Sequence, residues 1–490
     1  MKRRSRDVLL GLLLALVVFL VAAQVTVTLV AEREDASRPT QLEAPAVVQE
    51  HERLAALASV GADGESAPVE TSGSAGMSDD AVDTVRVYAE LWEELRERLW
   101  GSAEKKEAWG EISAICRKRL RDLSDEDIEK LRALLAANRD LLARLEEAAA
   151  LDGPLCAMQI GLRGHDIGCW PYRHFYRLAG GLLAAEALVA ASDNRYDLVW
   201  ESLLTGMRLA EAAAQVPSLF PHACFREWYS MALGLVEQQL PVGALPEDVV
   251  AELIARLETA KERRQFAELL TGTGWGSVVF LDAVRNDALA DSDMLYLGRE
   301  VGLLMRLRDT RLGKPWLDLF WLDREDEATT ELLQRGPAMA LRPYWEAMHE
   351  LREMEARLPR VAPLSQTRLW ETASMLSSRA DFEANLDLAR IGLLVEQYHD
   401  RNGSYPESLG AIEEGLGGTV PIDPFTGEPF HYRASDTGFS LYSVGPDLMD
   451  NGGTVGAPFH PGDIVWRKRF EDGADDAQAY CPQSCVFSQQ

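Results

Sequence analysis

The spacing of apolar positions divides the chain into three textures. From Val8 to Ala31 run 24 residues without a charge, most of them apolar. A helix of that length spans about 36 Å, enough for a hydrocarbon core of roughly 30 Å. Residues 33–80 are rich in Ala, Ser, Gly, Pro and acids, keep no period, and read as a flexible linker. From about Asp80 the apolar residues return at helical spacing: Val85, Leu91, Leu95 and Leu99, then Leu131, Leu134, Leu135, Leu141 and Leu145. Ser124 followed by Asp125, Glu126 and Asp127 predicts a capped helix start with early acids. Further helices are predicted over about 172–192, 194–215, 221–239, 246–269 and 330–357, punctuated by Pro217, Pro221, Pro241 and Pro246. Few stretches alternate with a period of two, so residues 81–381 are expected to be all-helical, as one or two units.

Glycines interrupt this region at Gly272-Thr-Gly-Trp-Gly276. A phosphate-binding loop needs a strand before it, and a Walker-type one a lysine after it. Here Gln265 to Leu270 looks helical and no lysine follows, so an interhelical turn is expected.

Near residue 382 the texture changes again. A helix is predicted from Glu383 to Asp400, broken at Arg401-Asn-Gly-Ser-Tyr-Pro406. Turn residues fill Pro421 to Phe430, and short strands are expected at Phe430–Arg433 and Phe439–Ser443. A glycine-rich loop, Val444 to Gly453, is followed by a return through Gly462-Asp-Ile-Val-Trp466. One helix on a small antiparallel sheet fits this order.

Composition sharpens the picture. At about 150 residues per domain, 490 residues make roughly three units. The chain holds 50 basic and 78 acidic residues, a net charge of -28. It lacks the basic footprint of a nucleic-acid binder and is unsuited to broad contact with anionic lipid. Four basic side chains do cluster in the first seven residues, directly before the apolar run. That places the N-terminus in the cytoplasm and everything after Glu32 outside the inner membrane. A signal peptide cleaved after Val21-Ala22-Ala23 is the alternative, and it also exports the body.

Six cysteines in an exported chain permit three disulfides. Cys156 with Cys169, and Cys481 with Cys485, are the nearest pairs along the chain. Cys156, His165, Cys169 and His174 also offer zinc-type ligands, at spacings unlike a familiar finger. No Gly-x-Ser-x-Gly elbow and no His-Glu-x-x-His pair occurs, so no catalytic residue is assigned. An envelope hydrolase of glycan or peptide would need two opposed carboxylates in a cleft of the helical body. The aromatic group Trp170, Tyr172, His174, Phe175 and Tyr176 reads either as a groove lining or as core packing at a helix start.

The C-terminal motifs resemble a known family. They are Leu388-Ala-Arg ahead of Tyr398, Asn402-Gly-Ser-Tyr-Pro406, Leu409, Asp423-Pro-Phe-Thr-Gly427, Pro429, Tyr432, Leu441-Tyr-Ser-Val-Gly-Pro-Asp447, Asp450, Gly452-Gly453 and Asp463-Ile-Val-Trp466. In order and spacing, residues 388–466 resemble the globular part of a type II secretion major pseudopilin. They are also similar to the pseudopilin-like modules of exported planctomycete-type bacterial proteins. The resemblance implies calcium in the final loop. Asp447 and Asp463 would be its carboxylate ligands, with Asp450 or Asn451 helping and backbone carbonyls near Tyr442 to Val444 completing the shell. The chain departs from pseudopilins in its apolar helix, which stands some 350 residues ahead of the module rather than continuous with it.

The expected fold is therefore multidomain. It has an N-terminal transmembrane helix (1–32), a linker (33–80), a large all-α body (81–381), a small α+β pseudopilin-like domain (382–468) and an acidic tail (469–490) with Cys481 and Cys485. The expected role is a membrane-anchored extracytoplasmic structural or protein-interaction protein, rather than an enzyme. Its partners would be other envelope proteins and, through residues 8–31, the inner membrane. The alternatives are the hydrolase above and a component of a type II secretion or pilus-like apparatus.

Overall fold

The computed structural model describes Gln49 and residues 79–466, except 119, 157–171, 218, 239–244, 262, 286–321, 358–362, 416, 437 and 456–461. The expected anchor, nearly all of the linker and the acidic tail thus lie outside the described residues. So do His165, Cys169, Trp170, Cys481 and Cys485.

The molecule is mostly helical, with a small three-stranded antiparallel sheet near the C-terminal end. Helix α1 (Asp79–Leu95) continues through a π-helical turn, Arg96–Trp100, into α2 (Ala103–Cys116). The start of α3 (Asp125–Ala137) follows the sequence signal. The Ser124 hydroxyl accepts the Asp127 N–H at 3.1 Å, and the Asp127 carboxylate accepts the Ser124 N–H at 3.0 Å. This reciprocal capping box pairs two otherwise orphaned donors. Helix α4 (Arg139–Ala149) follows after Asn138 alone.

Three long helices make the centre of the body: α5 (Tyr172–Ser192), α6 (Tyr196–Ala214) and α7 (Leu219–Gln238). Asn194 turns α5 into α6 with φ +59, while the Arg195 N–H reaches back to the Ala190 carbonyl at 2.8 Å. Asparagine tolerates this left-handed closing position. Small residues set the helix spacing. The Trp228 indole lies across Gly180 and Gly206, where an added Cβ would sit 3.4 Å and 3.0 Å from it. Helix α5 is long and apolar enough to cross a membrane, yet most of its apolar stretch is buried in the body.

Beyond these come α8 (Glu247–Thr259), α9 (Arg263–Arg285), α10 (Asp323–Ala340) and α11 (Tyr344–Arg357). Two expectations change here. The predicted helix over 330–357 is two helices, divided at 341–343 just ahead of Tyr344. The expected turn at Gly272–Gly276 is instead the middle of α9. Gly272 and Gly274 serve close packing, because a Cβ on Gly272 would collide with the Pro217 carbonyl and one on Gly274 would lie 2.8 Å from Leu333.

Helix α12 (Pro363–Asn402) is 40 residues long and starts 20 residues before the predicted Glu383. The expected body–module boundary at 381/382 lies inside it. Its first half packs on α10 and α11, and its later part on the sheet. Strands β1 (His431–Ser435) and β2 (Gly438–Ser443) form an antiparallel hairpin with Tyr432 opposite Leu441. Strand β3 (Ile464–Val465) adds antiparallel to β2, with Ser443 opposite Ile464. Both predicted strands and the predicted return are therefore present. Trp466 seats on α12 where Gly392 leaves no Cβ in its way. One apolar cluster runs from Tyr88 to Trp466, so body and sheet share a core.

Candidate functional site

The loop between β2 and β3 carries the candidate ligands Asp447, Asp450, Asn451 and Asp463. It stands on a buried carboxylate that the sequence reading left without a role. Asp423 is 1% exposed and opens the Asp423-Pro-Phe-Thr-Gly427 turn. It accepts the Phe425 N–H at 2.9 Å and, across the fold, the Val444 N–H at 3.2 Å. Burial pushes its carboxyl above the usual range, against these hydrogen bonds. Asp423 thus ties the turn to the end of β2. The turn in turn docks on α11: Phe425 meets Tyr344 edge-on at 5.1 Å, and Gly427, with φ +77, lies under Trp345. The signal was the turn motif itself, legible as turn chemistry but silent about its distant partner.

The loop is closed by its own acids. Asp463 is 2% exposed and accepts the Asn451 N–H at 3.1 Å and the Gly453 N–H at 2.6 Å. Asp447 accepts the Met449 N–H at 3.1 Å and the Asn451 side-chain amide at 3.2 Å. Asn451 therefore links Asp447 with Asp463, and these three predicted residues come together. Asp450 is engaged elsewhere. Its carboxylate accepts the Gly452 N–H at 2.9 Å and the Tyr442 hydroxyl at 3.0 Å, near His431, which stacks on Tyr442. The Gly452 and Tyr442 bonds hold its carboxyl below the usual range.

As a calcium shell this set is partial. Calcium takes six to eight oxygens, whereas the residues brought together supply two carboxylates and one amide. No cluster of three or more His, Cys, Asp or Glu suited to a metal occurs among the described residues. The Asn451 amide donates to Asp447 and to the Met449 carbonyl, so it would have to turn over to offer its oxygen.

The same loop displays apolar side chains. Leu448 has φ +59 and is 48% exposed, and Met449 is 61% exposed. A leucine in the left-handed region costs about 1–2 kcal/mol, and here the side chain is only half-buried. The Leu448 N–H bonds to the Gly445 carbonyl at 3.3 Å, which fixes the tip.

Other candidates resolve differently. Cys156 is disulfide-bonded and so is not a thiolate ligand for zinc, while Cys116 and Cys224 are in no disulfide. Burial pushes the Cys116 thiol up to about 12. His174 stacks on Trp100 at 5.3 Å and on Trp92 at 6.4 Å. Phe175 and Tyr176 are core residues, so the packing reading of that aromatic group holds for them. No protein-family model, characterised protein or solved structure matches the chain.

Proposed function

We propose that this chain is a membrane-anchored extracytoplasmic protein that uses its C-terminal module for protein contacts. Residues 8–31 would hold it in the inner membrane, and the helical body would carry the module in the periplasm. The observation that carries the reading is the tip of the β2–β3 loop. An outward-facing leucine is kept in a costly backbone conformation, beside an exposed methionine, on a loop fixed by hydrogen bonds. Neither backbone preference nor solvation favours leucine there, and contact with a partner supplies a reason. The shared core with α12 supports it further, because a tip on a rigid mount loses less freedom on binding.

Cross-linking in membranes followed by affinity recovery tests this. The full chain should capture a specific envelope protein, and Leu448→Asp with Met449→Asp should lose it while keeping its melting temperature. Equal capture by both chains would remove the tip from the function, and capture of nothing specific would count against the whole reading.

Calcium belongs to the same proposal, through Asp447, Asn451 and Asp463 and nearby carbonyls. The resemblance to pseudopilins and the clustering of two acids with an amide support it. Millimolar calcium should raise the melting temperature and a chelator should reverse the rise. Identical melting curves would refute the calcium site.

A further inference from the structure

Helices α9, α10 and α12 leave a crevice of about 30 Å³ between them, lined by Ser277, Thr329, Leu333, Gly336 and Thr372, with Arg368 and Glu371 also on its wall. Three observations bear on what it holds. First, helix-borne hydroxyls nearby settle on their own helix: Thr271 donates to the Ala267 carbonyl at 2.9 Å, and Thr372 to the Arg368 carbonyl at 2.8 Å. Ser277 does not. It is 6% exposed, and its hydroxyl has no protein partner. Second, Pro337 lies inside α10. Having no N–H, it gives no helical hydrogen bond to the Leu333 carbonyl one turn back. Third, Gly336 is buried, yet a Cβ added to it would meet nothing within 4 Å. The room therefore lies beside a hydroxyl without a protein partner and a carbonyl without its usual helical donor.

We infer that this crevice binds ordered water, anchored on the Ser277 hydroxyl. Its volume suits one or two water molecules, which need two to four polar partners each. Ser277, Thr329 and Thr372 supply hydroxyls, and Leu333 supplies a carbonyl. An ion is disfavoured, because Arg368 and Glu371 neutralise each other at 2.5 Å. The bound water stitches α9 and α10 to the first half of α12.

Two variants of the full chain test this: Ser277→Ala, which removes the anchor, and Gly336→Ala, which puts a methyl into the open space. Magnetic relaxation dispersion should count at least one fewer long-lived water in Ser277→Ala, and an unchanged count overturns the inference. Melting gives a separate readout. In the natural background Ser277→Ala should lower the melting temperature by about 2 °C, because the water loses a partner. In the Gly336→Ala background the methyl displaces the water and leaves the hydroxyl unpaired, so Ser277→Ala should raise the melting temperature. The same sign in both backgrounds overturns the inference, since a merely unpaired hydroxyl behaves alike in each.

Discussion

Two regions of this protein stabilise their carboxylates by opposite means. On the buried face of α12, Arg379, Glu383, Asp387 and Arg390 lie in the interior. Asp387 pairs with Lys261 at 2.9 Å and with Arg390 at 3.0 Å, and Arg390 also meets Glu258. Arg379 donates to the Ala340 and Arg342 carbonyls and lies 3.4 Å from Glu383. In the β2–β3 loop the acids turn mainly to backbone N–H groups, and Asp450 keeps its access to water. The outcomes differ in sign. Burial holds the Asp387 carboxyl above the usual range in spite of its cations, while hydrogen bonds hold that of Asp450 below it. Access to water decides which effect wins. Buried pairs of the first kind fix how elements meet more than they add stability.

That contrast can be broken most sharply at Arg390. Replacing it by methionine leaves Asp387 buried with one cation fewer, and should cost about 3 kcal/mol by urea denaturation. A loss under about 1 kcal/mol would mean that Lys261 alone suffices. The matching change in the loop is Asp463→Ala, which strands two N–H donors. It should cost about 2 kcal/mol, with amide exchange at Asn451 and Gly453 accelerated and the α5–α7 core unaffected. Accelerated exchange throughout the body would show that the loop is not a separate unit. A smaller effect of opposite sign is expected for Leu448→Gly. Relief of the left-handed backbone outweighs the freedom gained by the unfolded chain, for a net gain of about 0.5 kcal/mol. A loss of stability would place Leu448 in a packing role.

The finest test is carboxyl titration by NMR. The raised Asp387 means that the folded state binds this proton more tightly than the unfolded chain. Its contribution is full below the ordinary carboxylate range and fades as pH rises through its own folded value. Asp450, being depressed, contributes above that range and loses its contribution as pH falls through its folded value. Asp387 should therefore titrate above about 3.9 and Asp450 below it. The reverse order would overturn the role given to water.

Legibility followed the same divide. Where a residue's partner is near in sequence, the pattern could be read. The capping box at Ser124, the strands either side of Ser435–Gly438 and the return into Trp466 all depend on neighbours or on simple alternation. Asp447, Asn451 and Asp463 were grouped by the resemblance to pseudopilins, and the hydrogen bonds of Asn451 join the two acids. The resemblance added Asp450 to that group, whereas its carboxylate turns to Tyr442 and the Gly452 N–H. The length of α12 was hidden for a different reason. Arg379, Glu383, Asp387 and Arg390 look like a solvated face, and only partners brought from α8, the α8–α9 turn and the segment after α10 allow them inside. Gly272–Gly276 looked like a chain break, since glycine disfavours helices, until the approach of Pro217 and Leu333 gave those missing side chains a purpose.

The sequence by itself determined the helical texture of the body, the hairpin and its turns, and the net negative charge. Local propensity and apolar spacing carry that information within a few residues. The tertiary structure decided that α12 is one strut through body and sheet, that Asp423 bridges a turn and a strand, and that Leu448 faces outward in a costly conformation. Each of these depends on contacts between residues far apart in the chain, whose free energies outweigh the local preferences that the sequence displays.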